Sequence, residues 1–174
     1  LKDGDILIAY SSAIIKLNSD GTRDETFSGI GGNVDYIYTM AVSNNYLYCY
    51  PGYGKIRKYN LDTGNRITSY ATGVRSFDQV HGVYKIIAQP DGKLIVGGSF
   101  DGYDNYSNVH HIMRLNTNGT LDYNFSIYPD KYVRDLMIAD GSLYISGGFQ
   151  NIGSTPAYNI AKFNSDSFLV DTTI

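Results

Sequence analysis

The chain has 174 residues, enough for one domain with a real core. Its formal net charge is −3 and only 18% of its residues are charged, which argues against nucleic acid as a main partner and leaves solubility to Asn, Ser, Thr and Tyr. No apolar run approaches the roughly 20 residues that span a bilayer, and the single cysteine, Cys49, has no partner for an internal disulfide and reads as a small buried apolar residue.

In chain order, the first predicted element is the apolar run Ile6-Leu-Ile8, opened by Asp3-Gly4. Ile14-Ile-Lys-Leu-Asn18 follows, then the turn Ser19-Asp-Gly21, then Asp24 three residues before Phe27. This order returns. Asn44-Asn45 opens Leu47-Tyr-Cys49, followed by Ile56-Arg-Lys-Tyr-Asn60 and Asp62-Thr-Gly64, with Tyr70 alone where the Asp and Phe would stand. Val83–Ala88 leads into Asp91-Gly92 and Leu94-Ile-Val96, which ends at Gly97-Gly98. Ile112-Met-Arg-Leu-Asn116, Thr117-Asn-Gly119, Asp122 and Phe125 complete that copy. The last copy has Asp140-Gly141, Leu143-Tyr-Ile145, Gly147-Gly148, Ile160-Ala-Lys-Phe-Asn164, Ser165-Asp-Ser167, Asp171 and Ile174.

The repeats divide the chain at about 1–35, 36–82, 83–131 and 132–174, a step in the range of propeller blades. The third copy shows four short β-like runs: Val83–Ala88, Lys93–Gly98, His111–Asn116 and Leu121–Phe125. Leu94 and Val96 share one strand face and Ile95 occupies the other, so the strand must be covered on both sides. Sheets stacked face to face meet that demand, and the paired glycines permit close approach. The expectation is an all-β propeller of four-stranded antiparallel blades, about four in this chain. The chain opens at a second strand and ends as a fourth begins. It reads as a fragment of a longer protein or an arc of a larger ring, completed by further blades or another chain.

The string QPDGKLIVGGSF, followed by IMRLNTNGTLDYNF, resembles the delta-sixty β-propeller repeat of bacteria and phages, whose function is unknown. The match is near complete at 83–125, strong at 133–171 and good at 3–27. It is weak at 44–70, where Asn-Asn replaces Asp-Gly and Pro51 replaces a glycine. The resemblance implies a propeller set in large surface, secreted or phage tail proteins. It supplies no catalytic residues.

Several residue sets invite a functional reading. The repeated cations Lys16, Lys58, Arg114 and Lys162 suggest either a ring for an anion or structural pairs with Asp24, Asp122 and Asp171, and their joint recurrence favours pairs. The loop Asp101–Asn108 is rich in oxygen donors but matches no calcium-binding spacing. Loops at Asp101–Val109 and Gln150–Tyr158 are longer than their counterparts, and binding concentrates on such loops. Tyr103, Asp104, Tyr106 and Tyr158 are therefore the candidate partner-binding residues, with tyrosine suited to sugar rings or protein anchors. Among the histidines, His81, His110 and His111, the adjacent pair on a strand would point to opposite faces and chelate a metal poorly.

No nucleophile elbow, phosphate loop or zinc-protease signature occurs, and no cofactor is expected. The leading expectation is a non-enzymatic structural or recognition module, extracellular, at a cell surface or in a virion. Its partners would be protein subunits of a larger assembly or a surface glycan, and a homo-oligomer is compatible with it. A propeller hydrolase or lyase acting on polysaccharide is the rival and would need channel acids, for which Asp35 and Asp135 are the candidates. A purely architectural spacer is the third reading.

Overall fold

The computed structural model describes residues 1, 4–11, 13–30, 36–52, 54–70, 73–75, 82–164 and 170–171. Asp3, Asp35, His81, Ser165-Asp-Ser167 and Ile174 lie outside the described residues, as does the Asp171 side chain.

The strands are β1 (Ile6–Tyr10), β2 (Ala13–Leu17), β3 (Thr39–Ser43), β4 (Tyr46–Tyr50), β5 (Arg57–Asn60), β6 (Val74–Arg75), β7 (Val83–Ala88) and β8 (Leu94–Gly98). They continue as β9 (Gly102–Tyr103), β10 (Ile112–Leu115), β11 (Val133–Ala139), β12 (Ser142–Gly147), β13 (Asn151–Ile152), β14 (Thr155–Pro156), β15 (Ile160–Asn164) and β16 (Val170–Asp171). Each repeat forms its own antiparallel sheet: β1-β2, then β3-β4-β5, then β7-β8-β10, then β11-β12-β15-β16. The innermost strand β7 lies between β3 and β11 of the neighbouring sheets, so the sheets lean on one another like blades.

The motif explains the hairpins. Gln89 N–H donates to the Lys93 carbonyl, Gly92 N–H donates back to Gln89, and the Asp91 carboxylate accepts from Lys93 N–H at 3.0 Å. These bonds reverse the chain between β7 and β8. After the third strand, Asn18 and Asn116 close matching turns, each donating its backbone N–H across to Thr22 or Thr120.

The expected fourth strand is mostly absent. In the second and third blades it shrinks to one bridge, Tyr59 to Arg66 and Leu115 to Leu121, and in the first to two, Leu17 to Arg23 and Ile14 to Ile30. The recurring Asp ends it. Asp24 accepts from the N–H groups of Thr26 and Phe27, and Asp122 from that of Asn124. These turns swing the chain away and direct Phe27 and Phe125 into the core. Only the fourth blade has a described fourth strand, β16.

Three apolar cores lie between adjacent blades. Leu47 and Cys49 face Ile14 and Phe27 of the first blade, whereas Tyr48 and Tyr50 face Leu94 and Val96 of the third. Ile95 and Ile112 face Leu143, Ile145 and Phe163 of the fourth. The two-faced strand pattern thus becomes two joints per blade. Burial holds the Cys49 thiol neutral, pushed up to about 12.

The glycines set the approach distance. A Cβ on Gly97 would lie 2.9 Å from Val133 of the next blade, and one on Gly98 would overlap the Gly82 carbonyl. Gly147 stands against the Tyr132 carbonyl in the same way. The register therefore aligns Gly98 with Gly147, one residue away from the alignment of the glycine pairs in sequence.

The arc does not close on itself. The motif isoleucine is 0% exposed at Ile14, 1% at Ile56 and 3% at Ile112, but 56% at Ile160. Leu47, Leu94 and Leu143 are each 0% exposed, while Ile6 at the same place in the first blade is 49% exposed. Covered positions become bare at the two ends, because no neighbouring blade stands there among the described residues.

Candidate functional site

The two long loops are more structured than their composition suggests. β9, inside the first loop, pairs with β6 at the tail of the previous repeat. Asp104, at φ 48°, locks this junction: its carboxylate accepts from Gly73 N–H at 2.7 Å and its own N–H donates to the Gly73 carbonyl. The second loop folds into the β13-β14 hairpin, and Asp130 at the tail of the third repeat holds it through Gln150 N–H and the Asn151 amide.

These pairings give two of the expected binding residues structural roles. Tyr103 is 1% exposed, sits in the core between the second and third blades, and donates its hydroxyl to the Gly119 carbonyl. Asp104 is committed to the junction. Tyr106 and Tyr158 are exposed, and Tyr106 lines a cleft.

That cleft, of about 290 Å³, opens at the outer edge of the third blade, where the chain turns away after its single bridge. Tyr106 and Tyr123 form one wall, with ring centres 5.6 Å apart and planes at 80°. Tyr128, Asn108 and His110 complete the rim. All five rim side chains are exposed. Leu121, Ile112 and Phe125 line the apolar part, and the Arg114–Asp122 pair supplies the polar part. The hydrogen bond with Tyr106 raises the pKa of the Tyr123 phenol above its ordinary value. Tyr123 and Tyr128 stand outside the two long loops, so loop length gave no signal for them. Their proximity to Tyr106 comes from the turn at Asp122.

Two of the four repeated cations, Lys16 and Arg114, form structural pairs with the recurring acid. Lys16 Nζ lies 3.0 Å from both Asp24 and Asp5. Arg114 Nε lies 2.8 Å and Lys93 Nζ 2.7 Å from Asp122. Burial disfavours the charged Asp122, but hydrogen bonds from Lys93 and Asn124 N–H and the charge of Arg114 outweigh it and hold the carboxyl below its usual range. In the second blade Ile67 occupies the acid's position. Lys58 instead rests 3.9 Å from the Tyr46 ring centre and 5.4 Å from those of Tyr48 and Tyr70, and burial lowers its pKa. Lys162 pairs in register with Asp171.

Along the inner strands β3, β7 and β11, a depression of about 320 Å³ is lined by Tyr38, Thr39, Tyr84, Lys85, Arg134 and Asp135. Asp135 is 3.1 Å from Lys85. Burial opposes its ionisation, yet the hydrogen bond from Lys85 prevails and keeps the carboxyl low. Arg134 stacks 4.8 Å from the Tyr84 ring centre.

His111 lies just outside β10 at φ 66°, not on a strand as the sequence suggested. It has the role of Asn159 at φ 68°: the two carbonyls accept from Gly98 and Gly147 N–H. Burial and neighbouring His110 lower the pKa of His111. Among the described residues, no three His, Cys, Asp or Glu side chains converge to hold a metal.

Among curated proteins, none matches this sequence. Solved structures match in fold. The computationally designed Ika8 protein aligns with a TM-score of 0.61 at 12% identity, over 98% of this chain and 46% of that one. A chain of the mitotic checkpoint complex aligns with a TM-score of 0.60 at 12% identity, over 96% and 46%. BamB from Moraxella catarrhalis gives a TM-score of 0.57 at 16% identity, over 96% and 45%. The chain thus spans somewhat under half the length of these relatives in fold. In sequence, residues 2–27, 89–125 and 138–169, more than half of the chain, match a β-propeller domain of unknown function. With its radiating antiparallel sheets and three inter-blade cores, the chain belongs to this DUF5122 β-propeller family.

Proposed function

We propose that this propeller is a non-enzymatic recognition module and that the cleft at the edge of the third blade takes a sugar ring of a surface glycan. The observation that carries the reading is three exposed tyrosines, Tyr106, Tyr123 and Tyr128, around a cleft with a charged, hydrogen-bonding floor. Tyrosine faces cover the apolar face of a pyranose, and their hydroxyls with Asn108 and Arg114 meet its polar edge. The volume of about 290 Å³ stands at the lower end of the roughly 300–1,000 Å³ usual for small-ligand pockets. Asp122 and Asp135 are each held ionised by a cation, which suits binding better than proton transfer. The setting we favour is a larger surface assembly, either a phage tail or fibre or a secreted adhesin-like protein, on the strength of the resemblance to delta-sixty repeats.

A glycan array probed with the wild type, Tyr123→Ala and Tyr128→Ala tests this. The wild type should bind a defined set of glycans and both variants should lose that set while melting at an unchanged temperature, since the two rings are exposed. Absence of binding, or binding that survives both substitutions, refutes the assignment.

A further inference from the structure

We infer that the inner strands carry a second binding site, in which Arg134 takes the carboxylate of a small ring-bearing acid. The site shares no lining residue with the cleft at the edge of the third blade. Its failure would therefore leave the glycan assignment of that cleft standing.

The site is built by a device that recurs. Strands β7 and β11 each carry one extra residue against the next strand, for the register shifts between Val83 and Lys85 and again between Val133 and Asp135. Tyr84 and Arg134 are those extra residues, and a bulge of this kind re-aims the side chain it carries. Register equates the two positions. Ala88 pairs with Leu94 as Ile138 pairs with Leu143, and Tyr84 and Arg134 each stand four residues earlier. The same count from Val42, which pairs with Leu47, gives Tyr38. Tyrosine thus serves this position in the second and third blades, so the fold itself requires no cation there in the fourth.

The three side chains converge. Tyr38, Tyr84 and Arg134 line the depression of about 320 Å³, and Tyr84 and Arg134 also line an adjoining one of about 510 Å³ with Tyr132, Ser146 and Asn159. The Tyr132 ring meets Tyr84 edge-on, with centres 6.3 Å apart and planes at 84°. Arg134 lies over the other partner of that pair, 4.8 Å from the Tyr84 ring centre. Stacking orients a guanidinium and leaves its fork of N–H donors open for a planar anion. Among the described residues no carboxylate pairs with Arg134, since its neighbour Asp135 is held by Lys85 at 3.1 Å. Arg134, Lys85 and Asp135 together leave one positive charge, which matches a carboxylate better than a doubly charged phosphate. The tyrosine rings cover a ring on the ligand, and the Ser146 hydroxyl and Asn159 amide meet its hydroxyl groups. Sugar acids and aromatic acids share this chemistry.

Calorimetric titration of the 174-residue chain at neutral pH tests the inference. The probes are glucuronate and para-hydroxybenzoate, with glucose and phenol as their uncharged counterparts. At least one acid should bind, roughly tenfold or more tightly than its counterpart. Arg134→Gln should weaken that binding roughly tenfold or more, and Arg134→Lys should recover only part, because lysine keeps the charge without the planar fork. Lys55→Gln removes an exposed cation that lines neither depression and should bind as the wild type does. Arg134 is exposed, so both of its variants should melt at an unchanged temperature, which separates a lost site from a lost fold. Binding of glucuronate alone identifies a sugar acid as the ligand, and binding of hydroxybenzoate alone an aromatic one. Binding of neither acid, equal binding of acid and counterpart, binding that survives Arg134→Gln, or equal loss in Lys55→Gln overturns the assignment.

Discussion

Replacing the motif isoleucine by alanine in each blade in turn isolates what a neighbouring blade contributes. The four positions have the same strand context and the same chemistry. They differ in cover: Ile14, Ile56 and Ile112 are at most 3% exposed, and Ile160 is 56% exposed. Truncating a fully buried isoleucine costs about 2–5 kcal/mol, from lost transfer energy and the cavity left behind. Ile160 has less than half of that burial to lose and leaves an open surface, so its truncation should cost less than about 1 kcal/mol. Urea unfolding followed by circular dichroism supplies the numbers, with a constant slope required for the comparison. The reasoning fails if Ile160→Ala is as costly as the other three, or if any of those three costs less than Ile160→Ala.

His111→Asn should reduce sensitivity to mild acid. The folded chain holds the His111 pKa below its ordinary 6.5, so its share of stability is present above that value and fades as pH falls below it. Asparagine accepts the left-handed backbone, as Asn159 already does, so urea midpoints about one unit either side of that pH should converge in the variant. Asp122→Asn should destabilise by about 3 kcal/mol, since it removes the carboxylate between Arg114 and Lys93 at a buried site. Asp122 and Asp24 both have depressed pKa values, so their contribution is complete above 3.8 and is lost as pH falls from there. Melting temperatures of the variant should accordingly fall less steeply in that acid range than those of the wild type.

Much of the architecture was legible because the motif is periodic. Leu94-Ile-Val96 announced a strand covered on both faces, and the structure gives one face to each neighbouring blade. The recurrence of Asp122 with Arg114 announced an ion pair. The brevity of the fourth strand was not legible, because Asp122 looks like a strand residue until its carboxylate is seen bonded to Asn124 N–H. The burial of one expected site residue was not legible either. Tyr103 stands in a string of Gly, Asp, Asn and Ser that reads as an exposed loop. It is buried because β6, nearly thirty residues earlier, pairs with it.

The amino-acid sequence by itself determined that the chain is built of repeated antiparallel hairpins and that their second strands are apolar on both faces, because those properties repeat with the period of the chain. Only the tertiary structure decided that Tyr106, Tyr123 and Tyr128 share a cleft and that Ile6 and Ile160 stand uncovered. Such facts depend on contacts between distant segments, and a residue's neighbours across a joint leave no local mark in its own part of the sequence.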